Sequence, residues 1–237
     1  MSKLDQFPIA RRWPAANPDV IQLYSVPTPN GVKVSIALEE MALPYEPHAI
    51  DIGKNESWTP EFLALNPNGK IPAIIDPDGP DGAPIGLYES NAILLYLAEK
   101  SGRLIPADRV GQLEVRQWLF LQAAHIGPMF GQVGYFHKFA GREIADKRPL
   151  ERYVGESKRM LALIEDRLGD GRAFLMGDAF TIADCATLGW VRNLVGFYEA
   201  GELVDYAALS RVPRWLDACL ARPAVQRGLT IPARPGT

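Results

Sequence analysis

The sequence predicts a two-domain protein in which an α/β domain with the element order β-α-β-α-β-β-α precedes an all-helical domain. Three observations support this: strand-length apolar segments alternate with helical patterns in the first half, only helical patterns follow, and 237 residues suffice for two modest cores. The assigned segments are an N-terminal arm at 1–18, the α/β domain at 19–103, the helical domain at 108–226 and a C-terminal tail at 227–237. The arm is expected to lie on the surface or on a partner subunit.

Composition narrows the class of protein. The chain is 47% hydrophobic and 22% charged, as in ordinary globular proteins, and its net charge of −3 with scattered basic residues argues against nucleic-acid or membrane partners. Residues 92–98, the longest nearly apolar stretch, fall far short of the roughly 20 residues that span a bilayer, and the first twenty residues lack a signal-peptide core. Cys185 and Cys219 form neither a CxxC pair nor a zinc site, which favours core positions in a reducing cytoplasm.

The first domain begins with a predicted βαβ unit. Residues 20–25 and 45–52 have strand character and flank a helix after the turn at 26–31. The apolar face of this helix follows the spacing i, i+3, i+4, i+7: Val34, Ala37, Leu38 and Met41. A strand, a helix and a strand within about 30 residues predict two parallel strands joined by a right-handed crossover.

The rest of this domain is predicted to contain a short helix, a hairpin and a strongly apolar helix, at residues 59–65, 71–88 and 89–100. Pro60 after Thr59 is typical of a helix start. Gly and Pro residues at 78–82 predict the hairpin turn, and Gly102 closes the apolar helix.

Four helices are predicted in the second domain, at residues 110–122, 150–168, 182–198 and 213–220. The third begins with a capping box, in which Thr181 accepts from the amide of Asp184 and Asp184 accepts from the amide of Thr181. Phe180 and Cys185 stand where a hydrophobic staple would form.

The turn Thr28-Pro29-Asn30 is the first candidate binding segment. Amides at the start of the following helix, together with the helix dipole, favour a thiolate or another anion. Thr28 and Asn30 add a hydroxyl and an amide that can donate to sulfur. The alternative is a plain turn in which Asn30 caps the helix.

The second segment is Asn66-Pro67-Asn68-Gly69-Lys70-Ile71-Pro72, which enters the hairpin. The bond before Pro72 is a candidate cis peptide, which would leave the N–H and C=O of Ile71 free to pair with a peptide ligand. Lys70 could hold a carboxylate. The alternative is an edge-strand proline beside a solvated lysine.

The third segment is Glu89-Ser90, at the start of the apolar helix. Ser90 and the nearby amides suit a carboxylate, and Glu89 suits an ammonium group, so the pair suits an α-amino-acid head group. The alternative is a helix cap with an acidic residue in the first turn.

These segments, in this order, resemble the cytosolic glutathione transferases over nearly the whole chain. That family has a thioredoxin-like N-terminal half and a helical half with the capping box found here at 181–184. Within the family, residues 28–31, 51–54, 89–100 and 127–132 are similar to the nu class, whose relatives include the yeast nitrogen-catabolite regulator and bacterial glutathione-dependent disulfide-bond oxidoreductases.

The resemblance implies a set of glutathione-binding residues: Thr28, Asn30, Lys70, Ile71, Glu89, Ser90 and Arg152. Thr28 and Asn30 would contact the sulfur and act in catalysis, and Glu89 and Ser90 would take the γ-glutamyl end. Glutathione would be a co-substrate, and no metal is implied. The chain departs from the pattern at Ser57, where some relatives carry a glutamine near the glycyl end.

The resemblance also implies the reaction. A glutaredoxin-like mechanism needs a protein thiolate at the first helix, and neither cysteine stands there, so the sulfur chemistry would be done by glutathione itself. The implied reactions are reduction of disulfides and removal of glutathione from thioether conjugates, with release of glutathione disulfide. Two alternatives are a conventional transferase that conjugates electrophiles and a non-catalytic glutathione-binding regulator.

The acceptor is expected to bind to residues of the helical half: Met129, Phe130, Tyr135, Phe136, His137 and Tyr198. These residues could equally belong to the core. A homodimer is implied by the resemblance and by the prevalence of two-fold dimers.

Overall fold

The computed structural model describes residues 2–234, which form two compact units. One unit contains the residues up to Arg103 together with those from Pro223 onward, and the other is Leu104–Arg222. Residues 223–226, which the sequence analysis assigned to the helical domain, therefore group with the α/β unit.

The first unit contains a four-stranded mixed sheet in the order β2-β1-β3-β4. The strands are β1 Ile21–Ser25, β2 Tyr45–Ala49, β3 Ala73–Asp76 and β4 Ile85–Tyr88. Strands β1 and β2 are parallel, whereas β3 is antiparallel to both β1 and β4. The predicted βαβ unit and the hairpin are thus confirmed.

The α-helices, numbered along the chain, are α1 Ile9–Arg12, α2 Gly31–Met41, α3 Pro60–Leu63, α4 Ser90–Ser101, α5 Arg109–Leu121, α6 Gly127–His137, α7 Arg148–Arg167, α8 Ile182–Arg192, α9 Arg211–Leu220 and α10 Pro223–Gly228. Helices α1–α4 and α10 belong to the first unit, and α5–α9 belong to the second. An α/β unit and an all-helical unit are the predicted fold class.

The last helix, α10, packs against α2. The Ser35 hydroxyl donates to the Gly228 carbonyl at 2.6 Å, and a side chain at position 228 would lie 2.6 Å from Ile36 Cα. At the surface, Arg227 pairs with Glu39 at 2.6 Å. These contacts explain why residues 223–226 group with the α/β unit. The sequence does not indicate the contacts, because the partners lie almost 200 residues apart.

The N-terminal segment differs from the expected surface arm. Leu4 and Ile9 are buried in one cluster with Tyr24 and Phe62, so residues 2–12 contribute to the core of the first unit. Helix α1 is a single turn between prolines, too short to show an amphipathic period. The sequence pattern therefore gave no indication that residues 2–12 belong to the core.

Helix α6 was not predicted. Gly127, Pro128, Gly131 and Gly134 have low helix propensity, but α5 continues through a π-helical turn at Gln122–Ile126 directly into α6. Pro128 stands in the first turn of α6, where its missing N–H is tolerated. A side chain at Gly134 would lie 2.3 Å from the Tyr198 ring, so this glycine allows a close packing contact.

The predicted capping box at the start of α8 is present. Asp184 is fully buried and accepts hydrogen bonds from the Thr181 amide at 2.9 Å, the Leu175 amide at 2.9 Å and the Trp215 indole at 2.8 Å. Helix α8 itself ends at Arg192, and a π-helical turn at Asn193–Phe197 carries the chain on, so the predicted helix 182–198 is two segments.

Candidate functional site

Two adjoining cavities of about 270 and 250 Å³ form one cleft in the first unit, because they share Asn30, Lys70 and Ile71. The first is lined by Thr28, Asn30, Ile52, Ser57, Trp58, Gly69, Lys70 and Ile71. The second is lined by Asn30, Asn66, Asn68, Lys70, Ile71, Pro72, Glu89 and Ser90. The three candidate segments thus meet in one place.

Of the sequence-predicted glutathione-binding residues, the cleft brings together all but Arg152. Arg152 is exposed on α7, in the second unit. Its predicted charge contact with glutathione stays a prediction from the family resemblance.

The start of α2 lies unusually close to the end of β1. A side chain at Gly31 would place its Cβ 2.0 Å from the Val26 carbonyl oxygen and 2.7 Å from Ser25 Oγ. Only glycine fits there, and this close approach positions the first turn of α2 at the cleft. The positive end of the helix dipole therefore points toward any anion bound beside Thr28 and Asn30.

Thr28 has a hydrogen-bond donor available at this end of the cleft. Its Oγ1 accepts from the Gly31 amide at 3.1 Å, and a hydroxyl that accepts one bond can still donate its own proton. Asn30 occupies the N-cap position of α2, but its side chain makes no capping bond to that helix. The geometry leaves the Thr28 hydroxyl able to donate to a sulfur.

Asn66 shapes the middle of the cleft. Its side chain is 1% exposed, donates from Nδ2 to the Lys70 carbonyl at 2.6 Å and accepts from the Asn68 amide at 3.0 Å. Gly69 has φ +63 and lies under the Trp58 ring, where a Cβ would come within 3.0 Å. Asn66 belongs to the second candidate segment, and its Asn-Pro-Asn-Gly series is a strong turn signal, but this role of its side chain was not predicted.

The Ile71–Pro72 peptide bond is cis. Among the described residues, neither the N–H nor the C=O of Ile71 has a hydrogen-bond partner.

Ser57, the position that departs from the family pattern, is buried and lines the cleft. Its hydroxyl is therefore placed where a shorter polar contact to a ligand is feasible.

Glu89 adopts strained backbone angles, φ +66 and ψ +106, at the N-cap of α4. Such a conformation costs about 1–3 kcal/mol in a non-glycine residue and is commonest at functional sites. The carboxylate of Glu89 is exposed and has no hydrogen bond or ion pair with the described residues. Ser90, the next residue, is 9% exposed.

A buried lysine that sequence analysis missed lies beneath this pair. Lys33 is 1% exposed, and its Nζ donates to Ser90 Oγ at 3.1 Å and to Asn91 Oδ1 at 3.0 Å. Burial lowers the pKa of Lys33 to about 7, and the negative charge of Glu89 opposes this shift. The sequence signal that could have indicated a buried lysine is the position of Lys33 between Val32 and Val34 in an apolar helix.

The side chains that could replace Thr28 and Asn30 as sulfur-activating groups are buried. Tyr24 and Ser25 on β1 are 0% exposed, and burial raises the pKa of Tyr24 further. Cys185 and Cys219 are also fully buried and form no disulfide. None of these four groups can reach a ligand in the cleft without rearrangement.

The residues expected to bind the acceptor have unequal exposure. Phe130 is 0% exposed and Tyr198 is buried against Gly134, so both side chains are core residues, which corrects their assignment to a binding pocket. Tyr135 is exposed and packs edge-to-face on Phe136. Met129, Phe136 and His137 are half-buried.

The described residues contain neither a membrane-spanning helix nor a metal-binding cluster. None of their helices combines the length and apolar character that a membrane span requires. Within residues 2–234, no group of three or more His, Cys, Asp and Glu side chains is arranged to hold a metal ion.

The chain matches two family descriptions. Residues 28–100 match "Glutathione S-transferase, N-terminal domain", and residues 149–218 match "Glutathione S-transferase, C-terminal domain". Among characterised relatives, the Escherichia coli K12 disulfide-bond oxidoreductase YfcG is 38% identical over 211 residues, which cover 89% of this chain and 94% of YfcG.

Solved structures of similar chains contain ligands. A glutathione transferase from Burkholderia graminis, with two glutathione molecules bound per subunit, is 61% identical with a TM-score of 0.96, covering 99% of this chain and 97% of that one. A glutathione transferase from Pseudomonas putida, with one glutathione disulfide bound per subunit, is 53% identical with a TM-score of 0.94, covering 97% and 99%.

Proposed function

The chain belongs to the glutathione S-transferase family, and on that premise we propose that it is an enzyme that reduces disulfides with glutathione. Glutathione is the co-substrate, and its thiolate acts where a protein cysteine would act in a glutaredoxin-like enzyme. Removal of glutathione from thioether conjugates uses the same attack of a thiolate on sulfur, and we propose it as a related second activity.

One observation carries this proposal: two opposite charges that form no hydrogen bond or ion pair with the described residues flank an unpaired peptide unit along one cleft. Among the described residues, the Lys70 ammonium and the Glu89 carboxylate have no hydrogen bond or ion pair, and the backbone of Ile71 between them is unpaired. A short peptide with a carboxylate at one end and an amino-acid head group at the other matches these three features. Glutathione is such a peptide.

The sulfur end of the ligand then lies at the start of α2. The Thr28 hydroxyl, the Asn30 amide and the helix dipole each favour a thiolate over a thiol, and so lower the pKa of the bound glutathione. A larger thiolate fraction at neutral pH gives a faster attack on a disulfide.

The reaction balances in two steps. A glutathione thiolate attacks one sulfur of a disulfide RS–SR′, the mixed disulfide forms, and the leaving thiolate takes a proton from water. A second glutathione thiolate attacks the glutathionyl sulfur of the mixed disulfide, which forms glutathione disulfide and releases the second thiol. Two glutathione molecules are oxidised for each disulfide reduced.

The relatives support this scheme. YfcG is named a disulfide-bond oxidoreductase. The Burkholderia graminis relative holds two glutathione molecules per subunit, and the Pseudomonas putida relative holds one glutathione disulfide. These are the reductant and the oxidised product that the two steps require.

The experiment measures formation of glutathione disulfide from glutathione and a small disulfide. We expect Thr28→Val combined with Asn30→Ala to lower kcat/KM roughly a hundredfold, because two donors to the thiolate are lost. Unchanged turnover of this double variant would show that Thr28 and Asn30 do not form the sulfur site. The matched control is Cys185→Ala with Cys219→Ala, which should stay active, and loss of its activity without unfolding would restore a protein-thiol mechanism.

Two additional assays separate the competing functions. Faster turnover with an aryl halide than with any disulfide would identify a conventional conjugating transferase. Tight glutathione binding with no turnover on either substrate would identify a non-catalytic regulator.

A further inference from the structure

We propose that Lys33 is a positioning residue for the γ-glutamyl carboxylate: it orients the Ser90 hydroxyl toward the cleft and places a buried positive charge beneath that carboxylate. The proposal rests on the glutathione site described above. It adds to that site a residue that does not itself line the cleft.

The geometry fixes the direction of the Ser90 hydroxyl proton. When Lys33 is protonated, its ammonium has three donors and no acceptor, so in the 3.1 Å contact between Lys33 Nζ and Ser90 Oγ the serine oxygen must accept. The serine proton is then directed away from Lys33. Since Ser90 lines the cleft, that proton is available to a ligand carboxylate.

The charge of Lys33 acts in the same direction. Lys33 is held below Ser90 by a second hydrogen bond to Asn91 Oδ1, so the charge stays at the N-terminus of α4. The α4 dipole already favours an anion there, and a cation buried at 1% exposure is little screened by solvent. A carboxylate bound at Ser90 would compensate the buried charge.

The protonation of Lys33 should therefore be linked to ligand binding. Burial lowers its pKa to about 7, and of the groups on the elements packed against α2, Glu89 at the start of α4 favours the charged form. On α10 the cation is Arg227, which is paired with Glu39 instead. A bound carboxylate adds negative charge and raises the pKa of Lys33, so binding above pH 7 requires uptake of a proton.

The test measures the Kd of S-methylglutathione, which has no thiol to titrate, by calorimetry between pH 6.5 and 8.5. We expect Lys33→Met to raise Kd about tenfold at pH 6.5, equivalent to ~1.4 kcal/mol. The Kd of the unaltered protein should rise with pH across this range, and that rise should shrink in Lys33→Met. Lys33→Arg, which keeps the charge but does not titrate, should recover affinity without the pH dependence.

A double-mutant cycle shows whether Lys33 acts through Ser90. Ser90→Ala should raise Kd by a similar factor, and Lys33→Met combined with Ser90→Ala should raise Kd by less than the product of the two single effects, because part of the Lys33 effect passes through Ser90. Fully additive effects would overturn the positioning role. Lys100→Met is the matched control, because Lys100 pairs with Asp76 outside the cleft and its loss should leave Kd unchanged.

A measurement on the unaltered protein covers the case in which Lys33→Met does not fold. In ¹³C-lysine NMR, the Lys33 titration midpoint should move to higher pH when S-methylglutathione is added. An unmoved midpoint would refute the proposal while leaving disulfide reduction intact. Failure of the unaltered protein to bind S-methylglutathione at all would instead refute the proposed function as well.

Discussion

One residue in the cleft, Glu89, has a strained backbone conformation that no contact of its own side chain requires. Glu89 is held at φ +66 although nothing among the described residues pairs with its carboxylate. A strained residue persists when the surrounding structure determines it, and here β4 and α4 fix the backbone on both sides of Glu89. The strain is consistent with a carboxylate that is presented to a ligand ammonium.

Replacement of Glu89 tests that interpretation. Glu89→Gln keeps the shape but removes the charge, so we expect the Kd for glutathione to rise about tenfold, as for loss of a charged hydrogen bond. Calorimetry measures the effect. Glu99→Gln on the exposed side of the same helix is the control and should bind normally. Equal affinities of the two variants would show that Glu89 does not hold the ammonium group.

At the scale of elements, the start of α2 depends on one glycine. The close approach of Gly31 to Val26 brings the first turn of the helix, with Thr28 and Asn30, to the edge of the cleft. The sequence shows a turn and a helix here. It does not show how close the helix comes to the strand that precedes it.

Gly31→Ala tests this close packing, because alanine has a higher helix propensity than glycine and only a steric clash would make the substitution destabilising. A Cβ 2.0 Å from the Val26 oxygen must displace the helix, so we expect a loss of about 1–3 kcal/mol in the free energy of unfolding and a higher KM for glutathione. Gly155→Ala in α7, where a Cβ meets nothing within 4 Å, should instead stabilise by up to about 1 kcal/mol. Denaturant unfolding compares the two, and a neutral Gly31→Ala would contradict the close packing.

At the scale of the whole molecule, α5 carries exposed apolar side chains that its own unit leaves uncovered. Val110, Leu113 and Phe120 are 71, 47 and 74% exposed and follow a helical spacing on α5. Exposed apolar faces of this kind are typical of contacts with another copy or another protein. We propose that they contribute to the homodimer that the family resemblance implies.

The oligomeric state is testable by light scattering coupled to size exclusion. The unaltered protein should elute as a dimer, and Phe120→Glu should shift the equilibrium toward the monomer because a carboxylate would be buried in the contact. Ile144→Glu, a charge at another exposed apolar position, is the control and should remain dimeric. Identical behaviour of both variants would place the contact elsewhere.

Several features could be predicted because their causes lie within a few residues. The strand order along the chain, the capping box at Thr181 and Asp184, and most helices follow from local patterns and turn residues. Helix α6 could not be recognised, because Pro128 and three glycines oppose a helix locally while the π-helical turn and the packing against Tyr198 permit it.

By itself, then, the sequence determined the α/β and all-helical order and the segments that carry Thr28, Lys70 and Glu89, since turns, caps and periodicity act over short distances. Only the tertiary structure decided that these segments share one cleft, that Ile9 belongs to the core and that Lys33 supports Ser90 from below. The physical reason is that contacts between residues far apart in the chain depend on how α2 and α4 pack, and no local pattern specifies that packing.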